Sequence, residues 1–294
     1  MVKGRLMLFF KAMHVRAGLL AGCLLIPVAG LAQASPAPVG PPAEGPTYAD
    51  LATLSEASTL VVRAQIRRQS ALKPERAPGL APGFARLYVE ADTRALIAGR
   101  SGVGSTLAYL VDVPLDAKGK VPRLRKREFL LFAKPVAGRP GEVQLVGPGA
   151  HLAFTPELEA RLRPILTEFY AAEGPPPRIT GISDALAVPG TLTGESETQI
   201  FLTTENRSPV SITVLRRPGQ RVQWGVSWGE IIDSAARPPV PETLRWYRLA
   251  CSLPAQLPSN ANLARDPAER RLAAGDYAFV LAALGPCERR ITQG

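Results

Sequence analysis

The sequence predicts an α+β fold in two modules: a small β-barrel module with a terminal helix, then an antiparallel meander packed with two disulfide-linked helices. Three observations carry this expectation. Short β-branched runs alternate with turn clusters, in keeping with 29 Pro and 26 Gly among 294 residues. Apolar residues supply 46% of the chain, enough to bury a core, and the length suits about two domains of common size. Gly174-Pro175-Pro176-Pro177 cannot continue a preceding helix and makes a stiff spacer, so the division is expected there. The same composition excludes coiled coils and wholly disordered chains. With only 3 Cys and 2 His, multi-ligand zinc sites, c-type haem attachment and iron–sulfur clusters are excluded too, and no cofactor or metal is expected.

Residues 1–34 read as an export leader. Lys3, Arg5, Lys11 and Arg16 form a basic start without acids, Ala17 to Leu31 is apolar, and Ala32-Gln33-Ala34 is a cleavage site of the A-x-A kind. The apolar run holds 15 residues and contains Pro27, short of the roughly 20 that a membrane-spanning helix needs. Removal after Ala34, giving a periplasmic or secreted chain with no transmembrane helix, is therefore expected. Leu20-Ala21-Gly22-Cys23 resembles the lipobox of bacterial lipoproteins, so acylation of Cys23 is the alternative, and a start at Met13 would shorten the leader. Cleavage removes four cations and leaves 31 basic against 25 acidic groups, net +6 in place of +10.

Residues 35–46 hold five prolines and read as an extended tether. In the module over residues 47–173, Thr47 with Asp50 three positions on signals a helix start, and the helix is expected to run through Ser55. Thr59 to Ile66 is a β-branched run of strand character, whereas Lys73 to Gly83 is crowded with Pro and Gly and must be loop. Strands are expected over 85–97, 106–113, 128–133 and 142–146, the last two joined through the turn Arg139-Pro140-Gly141. Thr155-Pro156-Glu157 caps a helix to about Ala172, with Leu158, Leu162, Ile165, Leu166 and Phe169 on one face. Five strands and a terminal helix make the inventory of a small closed or nearly closed barrel. The order L-V-V-R-A-Q-I, a long strand, another strand, then Phe129 to Ala133, a turn and V-Q-L-V resembles the OB-like barrels of netrin-type secreted modules. That resemblance implies an OB-like fold alone, because the paired cysteines of those modules are missing.

The module over 178–294 begins with three strand candidates, 198–204, 210–216 and 222–228, in a meander. Two helices follow, one from about Pro241 to Ser252 and one opened by Asp266-Pro267-Ala268-Glu269 and stopped by Gly285-Pro286. Cys251 and Cys287, an even pair in an exported chain, are expected to form a disulfide between these helices. Closing that loop would contribute roughly 3 to 4 kcal/mol in the chain-entropy account. The whole chain is similar to uncharacterised signal-bearing proteins of GC-rich Gram-negative bacteria, a resemblance that implies no activity.

Several motifs bear on function. Gly225-Val-Ser227-Trp-Gly229 matches the G-x-S-x-G nucleophile elbow, but no histidine follows it to act as base, and strand alternation explains the same letters. The segment from Gly99 to Thr106 is one letter from a phosphate-binding loop, with Ser105 where the lysine belongs, and reads as a connection between strands. Glu157 with Glu159 and Glu195 with Glu197 are the paired carboxylates that a hydrolase could use. Trp224, Trp228, Trp246 and Tyr247 are expected in the core, and His151 in a satisfied loop position. The sharpest charge feature is Lys118, Lys120, Arg123, Arg125, Lys126 and Arg127, an anion-binding candidate for lipid headgroups, acidic polysaccharide or phosphate. No aromatics interleave these charges, so nucleic acid is not an expected partner. The expectation is a non-catalytic binding or envelope-associated factor whose partner is an anionic envelope component or another protein; the alternative is a hydrolase using Ser227 or paired carboxylates.

Overall fold

A computed structural model describes residues 45–100, 102–231 and 235–292. The expected leader, its cleavage point after Ala34, the lipobox at Cys23 and nearly all of the proline tether lie outside the described residues. The chain opens with α1 (Tyr48–Ala57), set by a capping box in which the Thr47 hydroxyl accepts from Asp50 N–H and the Asp50 carboxylate accepts from Thr47 N–H. Five strands follow: β1 (Leu60–Ala71), β2 (Phe84–Gly99), β3 (Thr106–Pro114), β4 (Glu128–Pro135) and β5 (Val143–Leu145). A short β6 (His151–Ala153) pairs with β4, and Thr155 caps α2 (Pro156–Phe169). The first sheet is antiparallel, in the order β3-β2-β1-β4-β5.

This sheet is open, which corrects the closed-barrel expectation for residues 47–173. Its two ends, β3 and β5, meet in one isolated parallel bridge, Ala108 to Glu142. The physical reason is length: β5 is three residues long, and its ladder with β4 is only Ala133–Leu145, Lys134–Gln144 and Pro135–Val143. So short a strand offers no second edge along which the nine residues of β3 could zip.

The second sheet is an antiparallel meander, β7 (Ile179–Pro189), β8 (Ser196–Thr204), β9 (Val210–Arg216) and β10 (Gln223–Ser227), paired in sequence order. β7 has no counterpart in the sequence reading. Gly181 and Ser183-Asp184 look like turn residues, and in the structure they fall at two register shifts, between Ile179 and Gly181 and between Ile182 and Asp184. Two helices complete the fold, α3 (Leu244–Ala250) and α4 (Pro267–Leu284). Thr243 rather than Pro241 starts α3, accepting from Trp246 N–H after Glu242 takes a left-handed φ of 56°. Cys251 and Cys287 are bonded, joining the ends of the two helices.

The start of β1, over Leu60 to Val62, and β4 over Phe129 to Ala133 are buried on both faces. Leu130 and Phe132 of β4 point into a core shared with α1, α2, α3, α4 and the second sheet, while Phe129, Leu131 and Ala133 point into the hollow of the first sheet. The shared core includes Leu51, Val61, Leu162, Ile200, Ile212, Leu244 and Tyr277, so it runs unbroken past the proline segment 174–177. That segment is itself anchored: Arg248 Nε donates to Pro176 O at 2.9 Å. The Arg248 guanidinium also meets Glu56 at 2.6 Å, and Arg178 meets the same carboxylate at 2.7 Å. Residues Glu44–Gly294 form one compact unit. Among the described residues no helix is long and apolar enough to cross a membrane.

Both ends of this unit are tied at one carboxylate. Asp50 is fully buried, and besides capping α1 it accepts from Arg290 N–H, Ile291 N–H, Thr292 N–H and the Thr292 hydroxyl, at 2.7 to 3.2 Å. Burial pushes its pKa up, but hydrogen bonds from Thr47, Thr292, Arg290 and Ile291 prevail and hold it at about 2. Asp50→Ala strands these donors, and a loss of roughly 3 kcal/mol is expected in urea unfolding. The carboxylate's contribution is complete above its unfolded value of 3.8 and is lost as pH falls through about 2, an acid sensitivity that the variant lacks.

Candidate functional site

The basic loop spans residues 115–127 between β3 and β4. Its backbone is fixed at three places. Asp116 Oδ1 accepts from Lys118 N–H and Lys120 N–H at 2.8 Å each, and Asp116 N–H donates to Lys120 O at 2.9 Å, closing a tight turn around Gly119. Gln69 of β1 then grips the middle: its Nε2 donates to Pro122 O at 2.8 Å and its Oε1 accepts from Leu124 N–H at 2.7 Å. Leu124, flanked by Arg123 and Arg125, is 4% exposed and plugs into the hollow of the first sheet, with Val121 packed against the same cluster. Finally Lys126 N–H donates to Ile66 O at 2.7 Å, and Ile66 N–H to Arg127 O at 3.0 Å. Lys126 is thereby held at φ 66°, a left-handed conformation that a non-glycine residue rarely takes unless its surroundings fix it.

With the backbone pinned and Leu124 buried, the charged side chains have no inward direction left. Lys118, Lys120, Arg123, Arg125, Lys126 and Arg127 are all exposed. None of the six has a carboxylate within ion-pairing distance among the described residues, and the loop's own acid, Asp116, is engaged by backbone N–H groups. The neighbouring strands behave differently. Arg63 lies 3.7 Å from Glu128 and from Glu159, Arg67 3.4 Å from Glu90, and Arg94 3.9 Å from Glu128. Arg86 makes a two-pronged contact with Asp112 at 2.7 and 2.8 Å. The charges of Arg63, Arg67, Arg86 and Arg94 are thus paired on the sheet, whereas those of the loop are left open and sum into a local potential larger than the net charge implies.

The remaining sequence candidates are placed as follows. Ser227 is buried within β10, opposite Ser211 of β9, and among the described residues no helix begins between it and Leu244, so the strand-to-helix turn of a nucleophile elbow is not seen there. A Cβ on Gly225 would collide with the Ala236 carbonyl; the first glycine of the motif is required by a crossing chain. Trp224, Val226 and Trp228 pack on the shared core, as alternation predicts, and Trp246 Nε1 donates to Leu284 O at 2.8 Å. Glu159 is bound to Arg163 and Arg63, Glu195 accepts from Leu192 N–H, and Glu197 accepts from Gln199. Among the described residues there is no group of three His, Cys, Asp or Glu placed to hold a metal ion.

His151 sits in β6 rather than in a loop. Its Nε2 is 3.0 Å from the Tyr109 hydroxyl, and its ring stacks on Phe129 at 3.9 Å between centroids. The Arg127 guanidinium lies over that Phe129 ring, 5.4 Å from its centroid, so the end of the basic loop rests on this aromatic stack. Sequence reasoning missed the Gln69 clamp; the signal that was available is Leu124, an apolar residue set directly between two arginines. No family model matches the chain, and no curated protein matches it.

Burial, with a smaller push from Arg127, lowers the His151 pKa to about 4. The imidazole is neutral through the physiological range, and NMR titration should show its change of state near pH 4. Its contribution to stability is complete above the unfolded value of 6.5 and is lost as pH falls from there through about 4. His151→Phe should flatten the stability profile across that window.

Proposed function

We propose that this chain is an exported, non-catalytic binding or envelope-associated factor, and that it holds an anionic partner on the basic loop. One observation carries the reading: six exposed cations, with no acidic partner among the described residues, stand on a backbone fixed by Asp116, Gln69 and Leu124. A pinned loop loses little conformational freedom on binding, so more of the electrostatic attraction is retained as affinity. The Cys251–Cys287 bond is compatible with an oxidising compartment and so with export of the mature chain after Ala34, or through acylation of Cys23. In this reading the first half is an OB-like barrel left open at one seam, supported by its strand order and the Ala108–Glu142 bridge, and residues 47–173 and 178–294 are two modules that share a core.

The partner chemistry is a surface of phosphate or carboxylate groups. Each Lys or Arg near an anionic surface contributes roughly 1 kcal/mol, falling with added salt. The test is sedimentation with phosphatidylglycerol vesicles, with phosphatidylcholine vesicles as the neutral reference. Changing Lys118, Lys120, Arg123, Arg125, Lys126 and Arg127 to Ser should lower affinity for the anionic vesicles by at least about a hundredfold. Equal binding by the wild-type and altered chains would overturn the proposal.

A further inference from the structure

Where β3 and β5 fail to close, the seam opens into a cleft of about 1540 Å³. At one end Ala108 N–H donates to Gly141 O at 2.8 Å, and beyond that point β3 continues to Pro114 with no strand hydrogen-bonded to it on this side among the described residues. Ala108 N–H points away from β2. Strand geometry repeats every two residues, so the N–H and C=O groups of Leu110 and Asp112 point the same way, into the cleft. The β2 side agrees: Leu115 N–H donates to Gly83 O and Thr93 N–H to Ser105 O, which puts the odd-numbered positions of this strand on that ladder. Among the described residues nothing bonds the main chain of Leu110 or Asp112 on the open edge. Pro114, at the next outward position, has no N–H and ends the row.

The side chains around this edge are apolar and cationic. Leu110, Tyr88 and Phe84 are 48%, 39% and 42% exposed and share one face of the β2–β3 pair. The two acids of the cleft are already engaged, Asp112 by Arg86 and Glu142 by Arg139 at 3.1 Å. Lys73 and Arg76, exposed on the β1–β2 connection, also line the cleft and have no acidic partner among the described residues. We infer that the open edge of β3 receives an added strand from a partner polypeptide, an extended segment whose acidic side chains meet Lys73 and Arg76. Main-chain groups spaced two residues apart match another backbone, whereas a lipid has no such row to offer. This site is separate from the basic loop, and its test is independent of that reading.

The probe is a nine-residue blocked peptide of alternating Val and Thr with Glu at both ends, added to the purified protein. Calorimetry and amide hydrogen exchange are read together. The expected result is binding with new protection of the Leu110 and Asp112 amides. N-methylation of alternate peptide residues should lower affinity by about tenfold or more when the methylated edge faces β3. Lys73→Ser with Arg76→Ser, both surface changes, should weaken binding severalfold. Three outcomes overturn the inference: no protection of those amides at millimolar peptide, equal affinity for the peptides methylated on either edge and unmethylated, or protection by lysophosphatidylglycerol micelles in place of the peptide.

Discussion

The two-sided burial of β4, with β1 beside it, is the constraint on which the rest of the structure depends. A strand that must be apolar at Phe129, Leu130, Leu131, Phe132 and Ala133 in succession has to find cover above and below. One cover is the curl of its own sheet. The other is the core that Leu130 and Phe132 share with α1, α2, the second sheet and its two helices. This explains why a chain punctuated by Gly174-Pro-Pro-Pro177 nevertheless builds a core on both sides of that segment. Removing the Phe132 side chain would open a cavity costing roughly 3 to 5 kcal/mol, a large share of the stability of most domains.

Polar groups fix how the covers seat. Glu56 holds Arg178 and Arg248 together at the proline segment, Asp276 of α4 accepts from Thr198 of β8 at 2.5 Å and from Arg216 of β9 at 2.6 Å, and Asp50 gathers the last described residues onto α1. Buried carboxylates of this kind are weak sources of net stability but costly to break, since the partner donors are left without water. The Cys251–Cys287 bond acts in the same region by tying α3 to α4. With the interior fixed in this way, the basic loop can be rigid through Gln69 and Leu124 while presenting all of its cations outward.

Much of this was legible in the sequence, and the rest was not, for identifiable reasons. Strands at 106–113, 198–204 and 210–216 are readable because β-branched residues alternate cleanly between turn clusters, and the start of α1 is readable from Thr47 and Asp50 alone. β7 is hidden because its Gly and Ser-Asp positions serve as bulges rather than turns. The open seam depends on the brevity of β5, whose flanking Gly and Pro residues give no count of how many pairs will form. Asp50 is legible as a cap but not as the acceptor for residues 240 positions away, and Gln69 gives no local sign that it clamps Pro122 and Leu124. Charge patterning showed the six cations; only the fold shows that no acid among the described residues pairs with them.

The central claim is that these cations act as a fixed array. The most direct measurement is the salt dependence of binding to phosphatidylglycerol vesicles for the wild-type chain and for Gln69→Leu, which releases the loop without altering its charge. The account predicts affinity falling steeply with ionic strength in both, with Gln69→Leu weaker than wild type by about tenfold at every salt concentration. Affinity indifferent to salt, or identical for the two proteins, would contradict it.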